Sequence, residues 1–362
     1  MKFIIIVTMS LWDEPHRGRH HYALALSQCH RVLWVNRRIG WREGRIAKKG
    51  LEVINNGLQV LHTGRSLLPG RVDERLNVDN LVRLSMLKEI LPSMGKPDII
   101  WIYDYKATNF AKSFSSDAVT VYFCNDYHGE YAFHKHERFL AWSVDHVFAT
   151  APGLVDRLKP FNEKAYFVPH GHSFSRFGGE YKPVNEERIG KFGYFGTLRN
   201  QIDTDVLFRL VEETDWKLVL AGPIVECDKR KESEFYRLFK HPHVIYLGNL
   251  GSFEVSEHLS DVDILILPYL KTKESAYMFP IKYFEYLSTG QPIVATDFFH
   301  FPKPYDSFIY VLKRGKRIKE MISLIASAWN NEKSRNAIDL AMRSTWQERI
   351  STISKITHCR LD

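Results

Sequence analysis

Short apolar runs alternate with helical patterns along the whole chain. In the first half the continuous apolar or β-branched runs Phe3–Met9, Val32–Asn36, Asp98–Tyr103, Val119–Phe123, His146–Ala149 and Tyr166–Val168 predict strands. Between them the spacing predicts helices over Arg19–Gln28, Asn77–Leu91, Glu130–Ser143 and Pro152–Lys159. The pattern then starts again. Lys191–Phe195, Lys217–Ala221, Val244–Leu247, Ile264–Leu267, Ile293–Thr296 and Ile309–Leu312 read as strands. Helices are expected over Asp203–Thr214, Lys231–Phe239, Phe253–Leu259, Ile281–Ser288 and Arg317–Trp329. Strands that are apolar throughout, alternating with helices, imply parallel sheets covered on both faces. The fold class is therefore α/β, with two doubly wound domains. The polar, aperiodic stretch after Ser173, with Gly178, Gly179 and Pro183, reads as a linker. The expected organisation is an N-terminal domain over 1–175, a linker over 176–190, a second domain over 191–336 and a C-terminal helical segment over 337–362, helical from Ala337 to His358. Ligands of such sheets bind beyond the carboxyl ends of the strands, so the informative residues should sit in loops just after them.

Composition narrows the class. The chain has 362 residues, 44% hydrophobic and 25% charged, which suits two ordinary globular domains and argues against disorder. Cys29, Cys124, Cys227 and Cys359 form no C-x-x-C pair, which argues against a zinc site or disulfide framework. A reducing cytoplasm is the simplest setting. The apolar run Phe3–Val7 is too short for a signal-peptide core or a membrane span and reads as a buried first strand. The formal net charge is +8. The basic stretch Arg31–Lys49, interleaved with Trp34, Ile39 and Trp41, suits a membrane headgroup region better than a nucleic-acid groove. Peripheral contact with an anionic inner membrane face is accordingly an expectation, and nucleic acid is not an expected partner.

The segment Glu274–Thr296 carries most of the chemical information. Pro280 suits a first helical residue, Gly290 a residue just past the helix end, and Pro292 blocks continuation. Lys282 and Glu285 then share one face of a short helix. An ammonium in the first turn is unfavourable by itself beside the helix dipole, and an anionic ligand relieves that cost. Glu285, one turn on, can accept two hydrogen bonds from a ribose diol. Phosphate and ribose belong to one nucleotide. The competing structural explanation is a surface Lys282–Glu285 ion pair.

The run P-I-K-Y-F-E-Y-L-S-T-G-Q-P-I-V-A-T, Pro280–Thr296, resembles the donor-site helix of GT-B-fold glycosyltransferases, closest to the family-4-like group that builds bacterial surface polysaccharides. The resemblance extends over nearly the whole chain and implies two Rossmann-like domains facing each other across a cleft. In much of that group two glutamates act here, one on the donor sugar and one on the ribose. Glu285 matches the second, while Tyr277 stands at the position of the first. The resemblance then assigns the sugar hydroxyls to the backbone around Met278, Phe279 and Pro280 or to other side chains. Lys191–Leu207 is similar to the family's first C-domain strand and loop. There Gly196 permits close approach to a ligand, Arg199 can meet a diphosphate, and Asp203 can cap the following helix. Relatives carry a lysine further along that loop, a role left here to Lys282. The resemblance further places Gly222–Pro223 near the base and Gly248–Leu250 against it, so that Gly222, Gly248 and Leu250 join the expected donor site.

In the N-terminal half, Trp12–Ser27 follows the first strand. Gly18 allows close approach to a donor, and His16, Arg17, Arg19, His20 and His21 make this end cationic, with a histidine there a possible base. Val121–Ala132 ends a strand and brings Asn125, Asp126 and His128 to the sheet edge. Relatives carry an acidic residue here, facing the acceptor. Asp126 is the first candidate for acceptor contact or base and His128 the second, against a plain helix-capping role for Asp126. Phe167–Phe177, with His170 and His172, resembles the family's hinge, and Ser344–Ile350 its C-terminal tryptophan helix, with Trp346 as packing.

The resemblance implies a metal-independent hexosyltransferase-type enzyme, with no cofactor. It would move a sugar from a nucleoside-diphosphate sugar, UDP-sugar favoured, to a glycan or lipid-linked acceptor in surface-polysaccharide, lipopolysaccharide or capsule synthesis. Retention of configuration is the family default. A nucleotide-sugar epimerase of the same fold and a non-catalytic nucleotide-sugar or glycan-binding protein are the alternatives. The first strand is followed by no G-x-G-x-x-G, which disfavours a nicotinamide dehydrogenase.

Overall fold

The computed structural model describes residues 1–174, 184, 190–259 and 261–361. The chain divides into two compact units, Met1–His170 with Trp346–Asp362, and Gly171–Thr345. Apart from Val184 and Gly190, the linker expected over 176–190 lies outside the described residues.

The first unit contains β1 (Phe3–Val7), α1 (Gly18–Leu26), β2 (Arg31–Val35), β3 (Lys49–Asn55), β4 (Leu58–Thr63), α2 (Gly70–Leu76), α3 (Val78–Met94), β5 (Ile99–Ile102), α4 (Thr108–Phe114), β6 (Val119–Cys124), α5 (Gly129–Ala132), α6 (Arg138–Ser143), β7 (His146–Ala149), α7 (Pro152–Leu158) and β8 (Ala165–Phe167). Its sheet runs β3-β4-β2-β1-β5-β6-β7-β8. Every neighbouring pair is parallel except β3 with β4. Ile4, Ile5, Ile6 and Val7 are fully buried, as a central strand covered on both faces requires. The order reverses at β1, which pairs with both β2 and β5.

The β3–β4 hairpin went unread because β3 is an edge strand with mostly exposed residues and little apolar signal. Its turn carries a sequence signal: Asn56 and Gly57 sit between the two strands, and the side chain of Asn55, the last residue of β3, accepts from the Gly57 N–H at 2.8 Å. The short helices α2 and α4 were also missed. The helix expected over Glu130–Ser143 is present, but α5 and α6 are joined through a π-helical turn at Phe133–Glu137.

One buried cation ties together the carboxyl edge of this sheet. Arg83 of α3 is fully buried. It donates to the Thr8 carbonyl at 2.7 Å and the Val35 carbonyl at 3.1 Å, just after β1 and at the end of β2. It also meets the Asp104 carboxylate, just past β5, at 2.7 Å. Burial pushes the Asp104 carboxyl up, but Arg83 and Lys106 outweigh it and hold the group below its ordinary value.

The second unit contains β9 (Lys191–Phe195), α8 (Thr204–Glu212), β10 (Lys217–Ala221), α9 (Lys229–Phe239), β11 (Val244–Tyr246), α10 (Ser252–Leu259), β12 (Ile264–Leu267), α11 (Lys282–Leu287), β13 (Ile293–Thr296), β14 (Ile309–Leu312), α12 (Ile318–Ala328) and α13 (Asn331–Met342). The sheet order is β11-β10-β9-β12-β13-β14, parallel throughout. This is the doubly wound Rossmann order, with its switch point between β9 and β12. Asp203 caps α8, its side chain accepting from the Val206 N–H at 3.2 Å.

The helix expected over Ala337–His358 is in fact two, α13 and α14 (Trp346–Thr357), and α14 belongs to the first unit. No Gly or Pro marks the break. The Ser344 hydroxyl turns back onto the Leu340 carbonyl at 2.7 Å, and the Ser344 carbonyl accepts from the His172 N–H at 3.2 Å, so the chain leaves the helix to form a short bridge. Trp346 then packs between the rings of His21 and Tyr22.

Replacing Arg83 by Met should strand the Asp104 carboxylate in the interior. The expected loss is about 3–5 kcal/mol in urea unfolding, and a loss near zero would show that Arg83 does not tie the edge.

Candidate functional site

In the second unit, a cleft of about 240 Å³ lies at the carboxyl ends of β9, β10 and β11, beside α11. Three loops form its floor, stitched backbone to backbone. The Gly196 N–H donates to the Ala221 carbonyl at 2.7 Å, the Gly222 N–H to the Gly248 carbonyl at 2.7 Å, and the Leu198 N–H to the Pro223 carbonyl at 2.9 Å. The Tyr246 hydroxyl adds a bond to the Gly222 carbonyl at 2.9 Å. Gly222 has a φ of 132°, and a Cβ there would collide with the Gly196 carbonyl. Gly196 itself lies against Lys282, and a Cβ on it would strike Lys282 Cε and Nζ. Both glycines are therefore demanded by close approach, one of loop to loop and the other of loop to side chain.

Lys282 and Glu285 both line this cleft. Their helix is held in place by its opposite face, where Tyr283, Phe284, Tyr286 and Leu287 are buried. The Tyr286 hydroxyl accepts the Phe195 N–H at 3.0 Å, fixing α11 to the end of β9, and the Tyr283 hydroxyl donates to the Tyr305 carbonyl at 2.7 Å. Among the described residues neither Lys282 nor Glu285 forms an ion pair, so the surface-pair explanation does not describe them. Gly290 has a φ of 72° and follows the helix end, the place expected of it.

The helix begins later than the sequence suggested. Lys282 is its first residue, and Pro280 stands before the turn. The Tyr283 and Phe284 N–H groups are taken by the Pro280 and Ile281 carbonyls at 3.1 and 3.0 Å, so they do not point free at a ligand. The positive charge of this end comes chiefly from the Lys282 side chain.

The other expected donor residues divide. Leu250 lines the cleft, with Asn249 and Val255 beside it, and Thr197 follows Gly196. Thr197 and Asn249 adjoin glycines already singled out, so position after a strand could have found them, whereas nothing in the sequence marks Val255. Gly248 contributes its carbonyl to the loop stitching. Arg199 is not part of the lining and its guanidinium meets Glu226 at 3.5 Å. Tyr277 ends a 3-10 turn, Met278 follows in extended conformation, and neither they nor Pro280 line the cleft. Phe279 is buried in a cluster with Phe284, Phe299, Phe301 and Tyr305, so its ring is core and only its backbone could meet a ligand.

Gly18, also expected at the donor, lies in the first unit. A Cβ there would come within 3.3 Å of His170 Nδ1 and of the Trp346 ring, so its smallness serves packing. Nearby, Arg19 is buried with its guanidinium 3.9 Å from the Asp126 carboxylate. Burial pulls the Arg19 guanidinium down and Asp126 offsets part of this. Asp126 is exposed and does not cap the following helix, whose N-cap is His128. The His128 ring stacks on Tyr105 at 4.4 Å. The Asn125 carbonyl is held by the Thr150 hydroxyl at 2.9 Å, while its side-chain oxygen is buried with no partner.

His20 is removed from the list of candidate bases. Its Nδ1 accepts the Arg17 N–H at 3.0 Å, so Nε2 carries the proton and donates to the Leu11 carbonyl at 3.1 Å. This neutral ring is a cap, held down to about 4 by burial. His170, which the sequence marked only as a landmark, is half-buried, and desolvation holds it down to about 4 as well. Among the described residues no group of three or more His, Cys, Asp or Glu could hold a metal ion.

Two expectations follow. Gly222→Ala should cost on the order of 2 kcal/mol through its backbone angle and its clash with the Gly196 carbonyl, read by denaturant unfolding, and an unchanged midpoint would contradict the stitched-loop account. The second concerns acid. His20 and His170 sit well below the 6.5 of a free imidazole, so the unfolded chain takes up protons that the fold refuses. Stability should be full above about pH 6.5 and fall as the pH drops toward about 4. His170→Gln should flatten that slope, and an equally steep profile in the variant would assign the loss elsewhere.

Residues 190–321, which include every residue lining the cleft, match the family model of glycosyl transferases group 1. The chain is 25% identical over 169 residues to the putative teichuronic acid biosynthesis glycosyltransferase TuaH of Bacillus subtilis, a match spanning 44% of this chain and 41% of that protein. Sucrose-phosphate synthase from Thermosynechococcus elongatus has a similar structure, with a TM-score of 0.73 at 11% identity, over 99% of this chain and 98% of that one. Anabaena Alr3699/HepE in complex with UDP superimposes with a TM-score of 0.65 at 12% identity, over 99% of this chain and 100% of that one. The chain thus has the α/β fold of the GT-B glycosyltransferases, and residues 190–321 of its second unit match the glycosyl transferases group 1 domain.

Proposed function

We propose that this protein transfers a sugar from a nucleoside-diphosphate sugar, a UDP-sugar in preference, to a hydroxyl of a glycan or lipid-linked acceptor in the synthesis of bacterial surface polysaccharide. The observation that carries this reading is the placement of Lys282 against Gly196, with Glu285 on the same face of α11, in a cleft at the switch point of a Rossmann sheet. The UDP bound to HepE and the pathway named for the Bacillus relative support the donor class and the setting.

The nucleoside diphosphate occupies the cleft of the second unit. Glu285 accepts from the two ribose hydroxyls, and the Asn249–Leu250 loop covers the base. The bond between the sugar's anomeric carbon and the β-phosphate oxygen breaks, and the phosphate keeps the electron pair. The Lys282 ammonium meets that growing charge without a metal. Arg199 joins it by exchanging Glu226 for phosphate. A new bond forms from the acceptor oxygen to the anomeric carbon, with retention of configuration, and the acceptor proton is released with Asp126 or His128 as its first receiver.

UDP at a hundred times its Kd should stabilise the protein by about 2.7 kcal/mol, and Gly196→Ala, which pushes Lys282 aside, should abolish the shift. Glu285→Ala and Lys282→Ala should each lower kcat/KM about a hundredfold, equal to about 2.7 kcal/mol, with the fold intact. No stabilisation by any nucleotide would remove the reading. Conversion of the donor sugar with no acceptor present would replace transfer by epimerisation.

A further inference from the structure

The charge of the chain is not distributed as its basic stretches suggest. In Arg31–Lys49 the cations Arg37, Arg38, Arg45 and Lys48 are each paired with a carboxylate. A different surface of the first unit combines apolar side chains with cations that form no ion pair among the described residues. On the helix from Gly129 to Ser143, Trp142 is 72% exposed, Tyr131 57% and Phe139 47%. Lys135 and Arg138 lie among them at helical spacing, with the Arg138 guanidinium 4.8 Å from the centre of the Phe139 ring. This helix is fastened to α2 where His136 Nε2 donates to the Glu74 carbonyl at 2.7 Å. On α2, Leu76 is 60% exposed, with Val72, Arg71 and Arg75 also exposed. The acids of these two helices are engaged elsewhere. Asp73 and Glu74 pair with Lys106, and Glu130 with Arg157.

Large exposed aromatic side chains are costly on a free surface. Trp and Tyr beside unpaired Arg and Lys are the composition of a surface that lies in a lipid headgroup layer, aromatic bodies among the acyl ends and cations on the phosphates. A nucleic-acid groove has no use for Leu76, Val72 and Trp142 together. Among the described residues no helix is long and apolar enough to cross a membrane, so contact of this kind would be at the surface.

We propose that the face formed by α2 and the helix 129–143 docks the protein on an anionic lipid bilayer. The proposal does not depend on the transfer reaction, and its test uses no substrate. The full chain should float with vesicles of phosphatidylglycerol and phosphatidylcholine, bind pure phosphatidylcholine vesicles far less, and release in high salt. The triple variant Tyr131→Ser, Phe139→Ser, Trp142→Ser, and separately Arg71→Glu with Lys135→Glu, should each reduce the bound fraction by about tenfold or more while keeping the thermal midpoint. Trp41→Ser with Arg42→Glu should bind like the parent. Absence of vesicle binding, equal binding by the variants, or loss of binding only in the Trp41 variant would overturn the proposal. So would a concentration-dependent dimer, dispersed by Trp142→Ser, in a protein that ignores vesicles.

Discussion

The contact on which the candidate site depends is that of Lys282 with the backbone of Gly196. A lysine can lie across the end of β9 only if no side chain rises from Gly196. The Gly196 carbonyl in turn has room only because Gly222 lacks a Cβ, and Gly222 is held by the Gly248 carbonyl. Three strand ends, three glycines and one ammonium form a single chain of steric requirements. The aromatic back of α11 secures its other end, through the Tyr286 hydroxyl on the Phe195 N–H. A cation is therefore delivered to the carboxyl edge by packing on the far side of a six-residue helix, with only a small part played by the helix dipole.

The first unit solves a related problem with a different device. Its strands β1 and β2 end side by side with carbonyls that need partners, and the Arg83 guanidinium supplies them from α3 while also meeting the Asp104 carboxylate just past β5. That leaves the outer rim of the edge to Arg19, Asp126 and His128, where polar groups are less completely satisfied. An inner edge tied together by Arg83 and carrying a more open rim is the arrangement that allows a site to be positioned without being filled by its own scaffold.

Charge follows the same division between groups engaged within the fold and groups left for partners. The cations of the stretch 31–49 are largely taken up by neighbouring carboxylates, whereas Lys282 in the cleft and Arg71, Arg75 and Lys135 on the outer face have no such partner among the described residues. Density along the chain was a poor guide. Lys313, Arg314, Lys316, Arg317 and Lys319 stand closer together along the chain than the cations of 31–49, and Arg314, Lys316, Arg317 and Lys319 line, with Arg209, a second cleft of about 820 Å³ in the second unit.

Local pattern alone determined the α/β alternation, nearly every central strand, the cap at Asp203, the left-handed glycine at Gly290 beyond α11, and the placing of Lys282 and Glu285 on one face. Each follows from periodicity or from one residue's backbone preference, and such signals act over a few positions. The edge strand β3 escaped because most of its residues meet water, and the break before Trp346 because hydrogen bonds to His172 and Leu340, not Gly or Pro, end that helix. Tertiary structure alone decided that Phe279 is core, that His20 is a cap, that Gly18 yields to Trp346, that Arg199 rests on Glu226, and which cations remain unpaired. These outcomes depend on which surfaces are brought together from distant parts of the chain, and burial, clash and ion pairing exist only once those surfaces meet.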